Sequence, residues 1–386
     1  MSMKEPSFTI GIEEEYLLVD RETRDLVSTP PHELLEECTD RLGGQATSEF
    51  MQSQIEVGTT VCDCIDTARK ELRRLRGAVV TVADKHGCAP IAASTHPFAA
   101  WEGQVHTDKD RYNNLAEEMQ AVARRLLTCG MHVHIGIEDE DLRTDLLGQA
   151  AYILPHLLAL STSSPYWRGQ DTGLCSYRLS VFDDLPRTGL PERFTSFAEF
   201  RRTVDVLVKA GLIEDGSMIW WDCRPSWRFP TIEMRITDVC PHLEDGLTIA
   251  ALFRCWLRML WRLRKENKNW RAYSRFLIGE NRWRAQRYGI DQGLVDFGTG
   301  EIVPYADLLS EMIELIREDA EHFGCVKEVE AARHILETGT SAHRQRATFA
   351  TARSSGANET AAFQAVVDQL IAETRQGAET VQRDAI

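Results

Sequence analysis

The sequence lacks the features by which several classes of protein are recognised. Its 386 residues contain no internal repeat, no low-complexity tract and no long flexible linker. The longest apolar stretch, residues 150–160, is too short to cross a membrane and is interrupted by Pro155 and His156. Residues 1–16 contain no apolar core of a signal sequence. We therefore expect a cytoplasmic protein that does not bind membranes.

Positive charge is scarce. The chain has 44 Lys and Arg residues against 59 Asp and Glu residues, which gives a formal net charge of −15 at pH 7. A surface of this sign repels phosphate backbones, so nucleic acid is not an expected partner. An anionic ligand must then bind in a local basic pocket.

Motifs of disulfide frameworks, zinc sites and common nucleotide sites are also absent. The ten cysteines include no C-x-x-C pair, which argues against a disulfide framework or structural zinc and predicts reduced thiols. Neither G-x-x-x-x-G-K-[S/T] nor G-x-G-x-x-G occurs, so P-loop and Rossmann sites are disfavoured. The remaining composition, 43% hydrophobic and 27% charged, is that of an ordinary globular protein with a large core.

Hydrophobic periodicity predicts a mixture of helices and strands. The predicted helices cover residues 62–86, 112–127, 141–162, 196–210, 244–265, 304–323 and 359–375. The predicted strands cover residues 8–19, 53–57, 131–137, 220–223 and 231–237. Without a regular βαβ rhythm, this order favours an α+β fold with a largely antiparallel sheet. We expect one domain, residues 1–386, ending in a helical tail from about residue 340, with its weakest joint at residues 354–358.

Four predicted strands carry polar residues spaced by two, which places each pair on one face of its strand. The pairs are Glu13 with Glu15, Gln54 with Glu56, His132 with His134, and Glu233 with Arg235. One such pair alone more often marks the solvent-facing side of a half-exposed strand. Glu14, on the opposite face of its strand, is expected to be such a solvent-exposed residue. Four pairs made only of Glu, Gln, His and Arg instead indicate a site for divalent cations.

The types of ligand indicate which cation and which chemistry. Carboxylates with imidazole and no thiolate suit Mg²⁺, with Mn²⁺ as an alternative. So many converging carboxylates would repel one another, which favours two or three metals over one. Sites of this kind serve phosphoryl transfer, and Arg235, next to Glu233 on the same face, is a natural phosphate partner. If ATP binds, it binds on the sheet through these metals.

Other polar segments have a structural and a functional interpretation. Residues 94–97 are interpreted as a turn with an exposed His96 imidazole, and residues 164–178 as either a surface loop or a loop that holds a small anion. Arg254, Arg258 and Arg262, spaced by four, are interpreted as a solvated helix face. The helix at residues 359–375 is expected only to pack.

Eight segments in the same order resemble the motifs of the glutamate–cysteine ligase type 2 family of bacterial carboxylate–amine ligases. They are GIEEE (11–15), THPF (95–98), DRY (110–112), GMHVHIG (130–136), SPY (164–166), WDCRP (221–225), TIEMR (231–235) with Asp238, and RYG (287–289). The resemblance runs from about residue 8 to residue 290 and continues more weakly to the end.

The resemblance implies a glutamine-synthetase-like fold, with a curved antiparallel sheet backed by helices and ATP and Mg²⁺ on its polar face. The implied metal ligands are Glu13, Glu15, Glu56, Glu233 and one of His132 and His134. The implied contacts to ATP are His132, His134 and Arg235, and the implied catalytic residues are Arg235, Glu56 and Glu233. The candidates for substrate contacts are Arg111, Arg178, Arg224 and His96.

The implied reaction begins with phosphorylation of the glutamate side-chain carboxylate by ATP. An amine, cysteine in this family, then attacks the acyl phosphate and forms an amide. The family also implies a homodimer. Two alternatives stay open at this point: a metal-dependent hydrolase in which His132 and His134 hold zinc, and a protein that senses nucleotide without catalysis.

Overall fold

The computed structural model describes residues 4–378. The strands are β1 Ile10–Asp20, β2 Ala46–Ser48, β3 Gln54–Gly58, β4 Cys88–Ile91, β5 Met131–Gly136, β6 Tyr166–Trp167, β7 Gln170–Asp171, β8 Thr188–Gly189, β9 Trp220–Trp221, β10 Cys223–Pro225, β11 Thr231–Met234, β12 Leu294–Asp296 and β13 Glu301–Val303. The helices are α1 His32–Leu42, α2 Ile65–Lys85, α3 Asp110–Met119, α4 Ala121–Arg124, α5 Glu140–Ala150, α6 Leu154–Ser161, α7 Arg178–Phe182, α8 Phe197–Lys209, α9 Leu243–Lys265, α10 Arg275–Tyr288, α11 Tyr305–Leu315, α12 Arg317–Phe323, α13 Val326–Glu330, α14 Ala332–Thr338, α15 Ser341–Ser354 and α16 Glu359–Gln376.

A seven-stranded antiparallel sheet is the centre of the fold. Its order is β10-β11-β5-β1-β3-β2, and β4 also pairs with β1. The long strand β1 therefore contacts three other strands and lies in the middle of the sheet. This arrangement agrees with the alternation of residues along β1, in which Ile10 and Ile12 are buried on the helix side of the sheet.

Helices cover one face of the sheet. The helices α2 and α9 pack against β1, and α5 packs against β10 and β11. Leu72, Leu75, Val79 and Val82 recur at helical spacing along α2 and are fully buried, so an apolar stripe fixes this helix to the sheet. The opposite face carries the polar pairs of β1, β3, β5 and β11. The predicted α+β fold, with an antiparallel sheet backed by helices, is confirmed.

Three predicted helices are each divided in two. The helix predicted at residues 112–127 ends at Met119, because Gln120 has a φ of 49°, which a right-handed helix cannot include. The helix predicted at 141–162 is interrupted after Ala150, and its second part begins at Leu154 with Pro155 in its first turn, where proline is tolerated. The helix predicted at 304–323 is interrupted at Ile316. The strand predicted at 220–223 is divided between β9 and β10.

The expected solvated arginine face of α9 is wrong for Arg254 and Arg258, which are both buried. The Nε of Arg254 donates to the Phe8 carbonyl at 2.7 Å, and Nη1 of Arg258 donates to Asp319 at 2.8 Å. This face of α9 packs against α12 and the N-terminal segment rather than water. Arg262 is partly exposed and also pairs with Asp319.

The last two helices pack onto the body of the protein. α15 and α16 contact each other, and α16 contacts β4 and α2. The Thr374 hydroxyl accepts a hydrogen bond from the Ala92 amide at 2.9 Å. The end of the predicted helical tail, residues 379–386, lies outside the described residues. In the part of the chain that the structure describes, no helix is both long and apolar enough to cross a membrane.

Candidate active site

A cavity of about 480 Å³ opens on the polar face of the central sheet. Strands β1, β3, β5 and β11 form its floor, and α3 and residues 217–229 contribute to its walls. Ten of the residues predicted for the site line it: Glu13, Glu15, Glu56, Arg111, His132, His134, Arg178, Arg224, Glu233 and Arg235. The spacing by two within each strand therefore selected residues that the sheet brings to one surface.

Strand register explains why these side chains meet. Glu13 lies opposite His132, Glu15 lies opposite Glu56, and Glu233 lies opposite His134. Side chains directly opposite each other on one face of an antiparallel pair are close neighbours. A carboxylate oxygen of Glu13 is 3.0 Å from Nδ1 of His132, and its other oxygen is 3.4 Å from Nε2 of His134.

Three groups of side chains on the cavity floor have the composition of cation sites. In each group one ligand atom per residue lies within 4.8 Å of the others. The groups are Glu13 with His134 and Glu233, Glu13 with Glu56 and His132, and Glu15 with Glu49 and Glu56. The predicted set is thus brought together, and Glu49 is added to it.

Sequence reasoning missed Glu49. It follows directly after β2, and β2 pairs with β3 so that Thr47 lies opposite Glu56. The signal was a hairpin in which an acidic residue precedes the strand that carries Glu56. The three residues of β2 are too few for their periodicity to indicate a strand.

The group of Glu15, Glu49 and Glu56 holds excess negative charge. Burial, with repulsion from Glu15, raises the pKa of Glu49 to about 7. Burial and the neighbouring carboxylates Glu49 and Glu13 raise the pKa of Glu56 well above its ordinary value. Burial also raises the pKa of Glu15 despite the positive charge of Arg178. A cation bound among these oxygens would relieve the repulsion.

The two imidazoles fit a metal site. Nε2 of His132 and Nε2 of His134 are buried and have no hydrogen-bond partner among the described residues. Burial, together with the charge of Arg235, lowers the pKa of His132 to about 4, so this imidazole is neutral at pH 7 and can offer a lone pair. Burial alone would lower the pKa of His134, but the hydrogen bond to Glu13 and the charge of Glu233 outweigh burial and raise this pKa above its ordinary value. Buried carboxylate oxygens together with the neutral imidazole of His132 suit Mg²⁺ or Mn²⁺.

Glu233 is engaged by two arginines. Nε and Nη2 of Arg224 each donate to it at 2.9 Å, and Arg235, directly after the end of β11, also pairs with it. Burial alone would raise the pKa of Glu233, but the charges of Arg224 and Arg235 outweigh burial and hold this pKa far below its ordinary value. Nη1 of Arg224 donates to the carbonyls of Ser217 and Ile219, so most donors of Arg224 already have protein partners.

The segment from Ser164 to Arg178 is not a surface loop where it meets the cavity. Ser164, Ser176 and Arg178 are buried. The carboxylate of Asp238 accepts hydrogen bonds from the hydroxyls of Ser164 and Ser176 at 2.8 and 2.9 Å. The guanidinium of Arg178 donates to the Arg235 carbonyl at 3.2 Å. These contacts hold the positively charged guanidinium of Arg178 in place at the cavity.

His96 is not exposed, and it does not line the cavity. Its Nδ1 accepts hydrogen bonds from the amides of Phe98 and Ala99 at 3.2 and 2.9 Å, and its Nε2 lies 2.9 Å from the Arg24 carbonyl. Burial lowers the pKa of His96 to about 4. The expectation of an exposed imidazole is therefore wrong. The His96 side chain stabilises the turn at residues 94–97 and does not face the cavity.

Glu14 is not solvent-exposed either. It is fully buried on the helix side of β1, where both oxygens pair with Arg76 of α2 at 2.7 and 2.8 Å. Arg76 also donates to the carbonyls of Pro241 and Cys240. The expectation failed because periodicity shows only that Glu14 faces away from Glu13, whereas the cover of that face depends on a helix distant in sequence.

Comparisons with known proteins agree with this geometry. A sheet face that combines candidate cation ligands with arginines is typical of enzymes that transfer phosphoryl groups with the help of metal ions. The family model described as glutamate-cysteine ligase family 2 matches residues 9–369. The chain belongs to this family.

Relatives cover nearly the whole chain. A Rhodospirillum rubrum protein provisionally named glutamate–cysteine ligase 2 is 61% identical over 376 residues, 96% of this chain and 97% of the relative. A Jannaschia protein with the same provisional name is 56% identical over 364 residues, 94% of this chain and 96% of the relative. Family membership makes the chain an ATP-dependent ligase of the glutamate–cysteine ligase type, as the sequence predicted, and gives the hydrolase alternative no support.

Solved structures show the same fold at low sequence identity. The glutamate–cysteine ligase of Francisella tularensis, solved in complex with AMP, has a TM-score of 0.67 at 14% identity and covers 97% of this chain and 90% of its own. A bifunctional glutathione synthetase from Pasteurella multocida has a TM-score of 0.67 at 14% identity, and the match spans 95% of this chain and 52% of that longer one.

Proposed function

We propose that this protein uses ATP and Mg²⁺ to join the side-chain carboxylate of glutamate to the amino group of cysteine. The observation that carries the proposal is the row of Glu13, Glu15, Glu56, His132, His134 and Glu233 on one cavity floor, beside Arg178 and Arg235. Such a floor offers cation ligands and fixed positive charge to a nucleotide and an acid at the same time.

The first half of the reaction transfers the γ-phosphoryl group of ATP. An oxygen of the glutamate side-chain carboxylate attacks this phosphorus, the bond to the bridging oxygen breaks, and γ-glutamyl phosphate and ADP form. Bound Mg²⁺ supplies neutralisation of phosphate charge, held by Glu13, Glu15, Glu56, Glu233 and the two imidazoles. Glu49, which completes the group with Glu15 and Glu56, joins this ligand set in the proposal.

The arginines position the reacting groups. Arg235, which is half-buried and lies against Glu233, aligns the transferred phosphoryl group. Arg111 and Arg178 bind substrate carboxylates, because Arg111 is exposed at the cavity wall and Arg178 has no carboxylate within ion-pair distance among the described residues. Arg224 is the third candidate for a carboxylate contact, and its bidentate pair with Glu233 orients that ligand as well.

The second half of the reaction forms the amide. The unprotonated amino group of cysteine attacks the carbonyl carbon of γ-glutamyl phosphate, the carbon–oxygen bond to the phosphate breaks, and inorganic phosphate leaves. The nitrogen releases one proton to solvent as the amide forms. Holding both substrates in one cavity converts this attack into an effectively intramolecular step.

The test is a screen of acid and amine pairs with ATP, scored by phosphate release and by product mass. We expect ADP release that requires Mg²⁺, glutamate and cysteine together, with a product of the mass of γ-glutamylcysteine. Release with another amine would keep the ligase and replace cysteine. No release with any pair would contradict the proposal and favour a protein that senses nucleotide without catalysis.

We further propose that residues 1–386 act as one catalytic domain, that the protein is a homodimer and that it is located in the cytoplasm. One main hydrophobic cluster includes residues from Phe8 to Leu370, which supports a single domain. Light scattering in solution tests the dimer, and fractionation of the source cells tests the location.

A further inference from the structure

Gln54 is a polar residue of the cavity to which the proposed reaction gives no role. It lies on β3, two residues before Glu56 and on the same face, and it lines the cavity while only 4% exposed. A neutral amide in a floor of carboxylates adds no charge for a metal. Its contribution must therefore come from the direction of its hydrogen bonds.

The orientation of the Gln54 amide is fixed by its neighbours. Nε2 donates to the Thr128 carbonyl at 2.7 Å and lies 3.2 Å from Sγ of Cys129. Because a carbonyl oxygen can only accept, the nitrogen must face Thr128 and not the oxygen. The Oε1 atom is then on the other branch of the planar amide group, away from the Thr128 carbonyl, and is an acceptor that cannot rotate to become a donor.

The guanidinium of Arg178 packs against the same short segment that fixes Gln54. Gly130 approaches Arg178 so closely that a Cβ atom on it would be 2.4 Å from Nη2. The Gly130 amide also donates to Glu15 at 2.6 Å. The three consecutive residues Thr128, Cys129 and Gly130 thus hold an acceptor, Gln54, near a cation, Arg178. An acceptor beside a cation matches the ammonium and carboxylate groups on the α-carbon of an amino acid.

We propose that Gln54 determines substrate specificity, with its Oε1 atom accepting a hydrogen bond from the α-ammonium group of the acid substrate. The site thereby selects an α-amino acid over a dicarboxylic acid of the same length that has no amino group. The inference rests on the proposed function, because it concerns the acid that binds in the same cavity.

The experiment compares two acids that differ only in the α-amino group, glutamate and glutarate. Their dissociation constants are measured by calorimetry with Mg²⁺ for the wild type, Gln54→Leu and Gln54→Met. Gln52→Leu is the matched control, because Gln52 lies in the turn before β3, outside the cavity lining, and donates to the His106 carbonyl at 3.2 Å. The unbranched Met variant guards against misfolding of the Leu variant, and thermal unfolding checks every variant.

We expect the wild type to prefer glutamate, and both Gln54 variants to lose about tenfold to hundredfold in glutamate affinity, the range of a hydrogen bond to a charged group. Glutarate affinity should change less than about twofold in all variants on the same argument. An unchanged glutamate preference in the Gln54 variants would overturn the inference. So would a wild type without that preference, or an equal loss for both acids, which would show that Gln54 does not distinguish the α-amino group.

This experiment separates the inference from the proposed function. Binding is measured without turnover, so a protein that discriminates between the two acids but releases no ADP would reject the ligase reaction and retain the role of Gln54. Turnover with glutamate that is equally fast in Gln54→Leu would do the reverse.

Discussion

Adjacent carboxylates on the two faces of strand β1 differ in whether a positive charge balances them. On the helix side, Glu14 is fully buried and its charge is balanced by Arg76. On the cavity side, Glu15 lies with Glu49 and Glu56 in a group whose pKa values are raised by burial and mutual repulsion. The same residue type in neighbouring positions is a structural ion pair on one face and an uncompensated group on the other.

This difference separates residues that stabilise the fold from residues available to a ligand. A buried charge with a complete set of partners gains nothing from a ligand, whereas carboxylates without enough positive charge gain free energy when a cation binds. Glu13 and Glu14, which adjoin each other in sequence, therefore provide a direct test of the two roles.

The largest expected effect is on stability, in Glu14→Gln. The substitution leaves the buried guanidinium of Arg76 without its counter-charge, and breaking a buried pair in this way costs about 3–5 kcal/mol. Urea denaturation should show this loss, while kcat/KM per folded molecule stays unchanged. The double variant Glu14→Leu/Arg76→Met should recover much of the stability. A double variant as unstable as the single one would show that the pair does more than balance charge.

The next effect is on activity, in Glu13→Gln. Glu13 belongs to two of the three candidate cation groups, so the amide should lower kcat/KM for ADP release about 10²-fold, corresponding to about 2.7 kcal/mol of transition-state stabilisation. Stability should fall less than in Glu14→Gln, because Glu13 is partly exposed and is paired with His132 and His134 rather than with a buried guanidinium. Glu301→Gln, on the exposed strand β13, is the control. Full activity in Glu13→Gln would remove this residue from the site.

The polar pairs were predictable from the sequence because a strand has a period of two and the site is built on strands. Glu13, Glu15, Glu56, His132, His134 and Glu233 could be selected without knowing how the strands pair. The antiparallel register then placed them opposite one another. The family motifs contain Arg111 and Arg224, and the interpretation of residues 164–178 as an anion-holding loop added Arg178. No periodicity would have singled out these three residues.

Residues that depend on contacts between distant segments could not be predicted in the same way. The environment of Glu14 depends on α2, that of His96 on the Arg24 carbonyl, and that of Arg258 on Asp319. β4, residues 88–91, was missed because all four of its residues are buried, so it has no alternation to detect. Periodicity predicts which residues share a face, but it does not predict which element packs against that face.

A smaller effect concerns the pH dependence of stability on the helical side. Burial lowers the pKa of His156, on α6, to about 4. The unfolded chain binds a proton at this residue at higher pH than the folded protein, so His156 destabilises the fold as pH falls below about 6.5, by about 1.4 kcal/mol at pH 5.5. His156→Gln should have a flatter stability profile between these pH values. The exposed His32, replaced by Gln, is the control, and an unchanged slope in His156→Gln would contradict the assignment.

The smallest expected effect has the opposite sign, in Glu56→Gln. Because burial and neighbouring carboxylates raise the pKa of Glu56, its charged form destabilises the metal-free protein, and this cost grows as pH rises above the ordinary carboxyl range. The variant should be about 1 kcal/mol more stable than the wild type at pH 8 without metal, and less so at pH 5. Mg²⁺ should stabilise the wild type more than the variant and so reverse their order. Thermal unfolding with and without Mg²⁺ measures both changes. A Glu56→Gln variant less stable than the wild type without metal would mean that Glu56, like Glu14, is already balanced by the protein, and the two faces of the sheet would no longer differ in this respect.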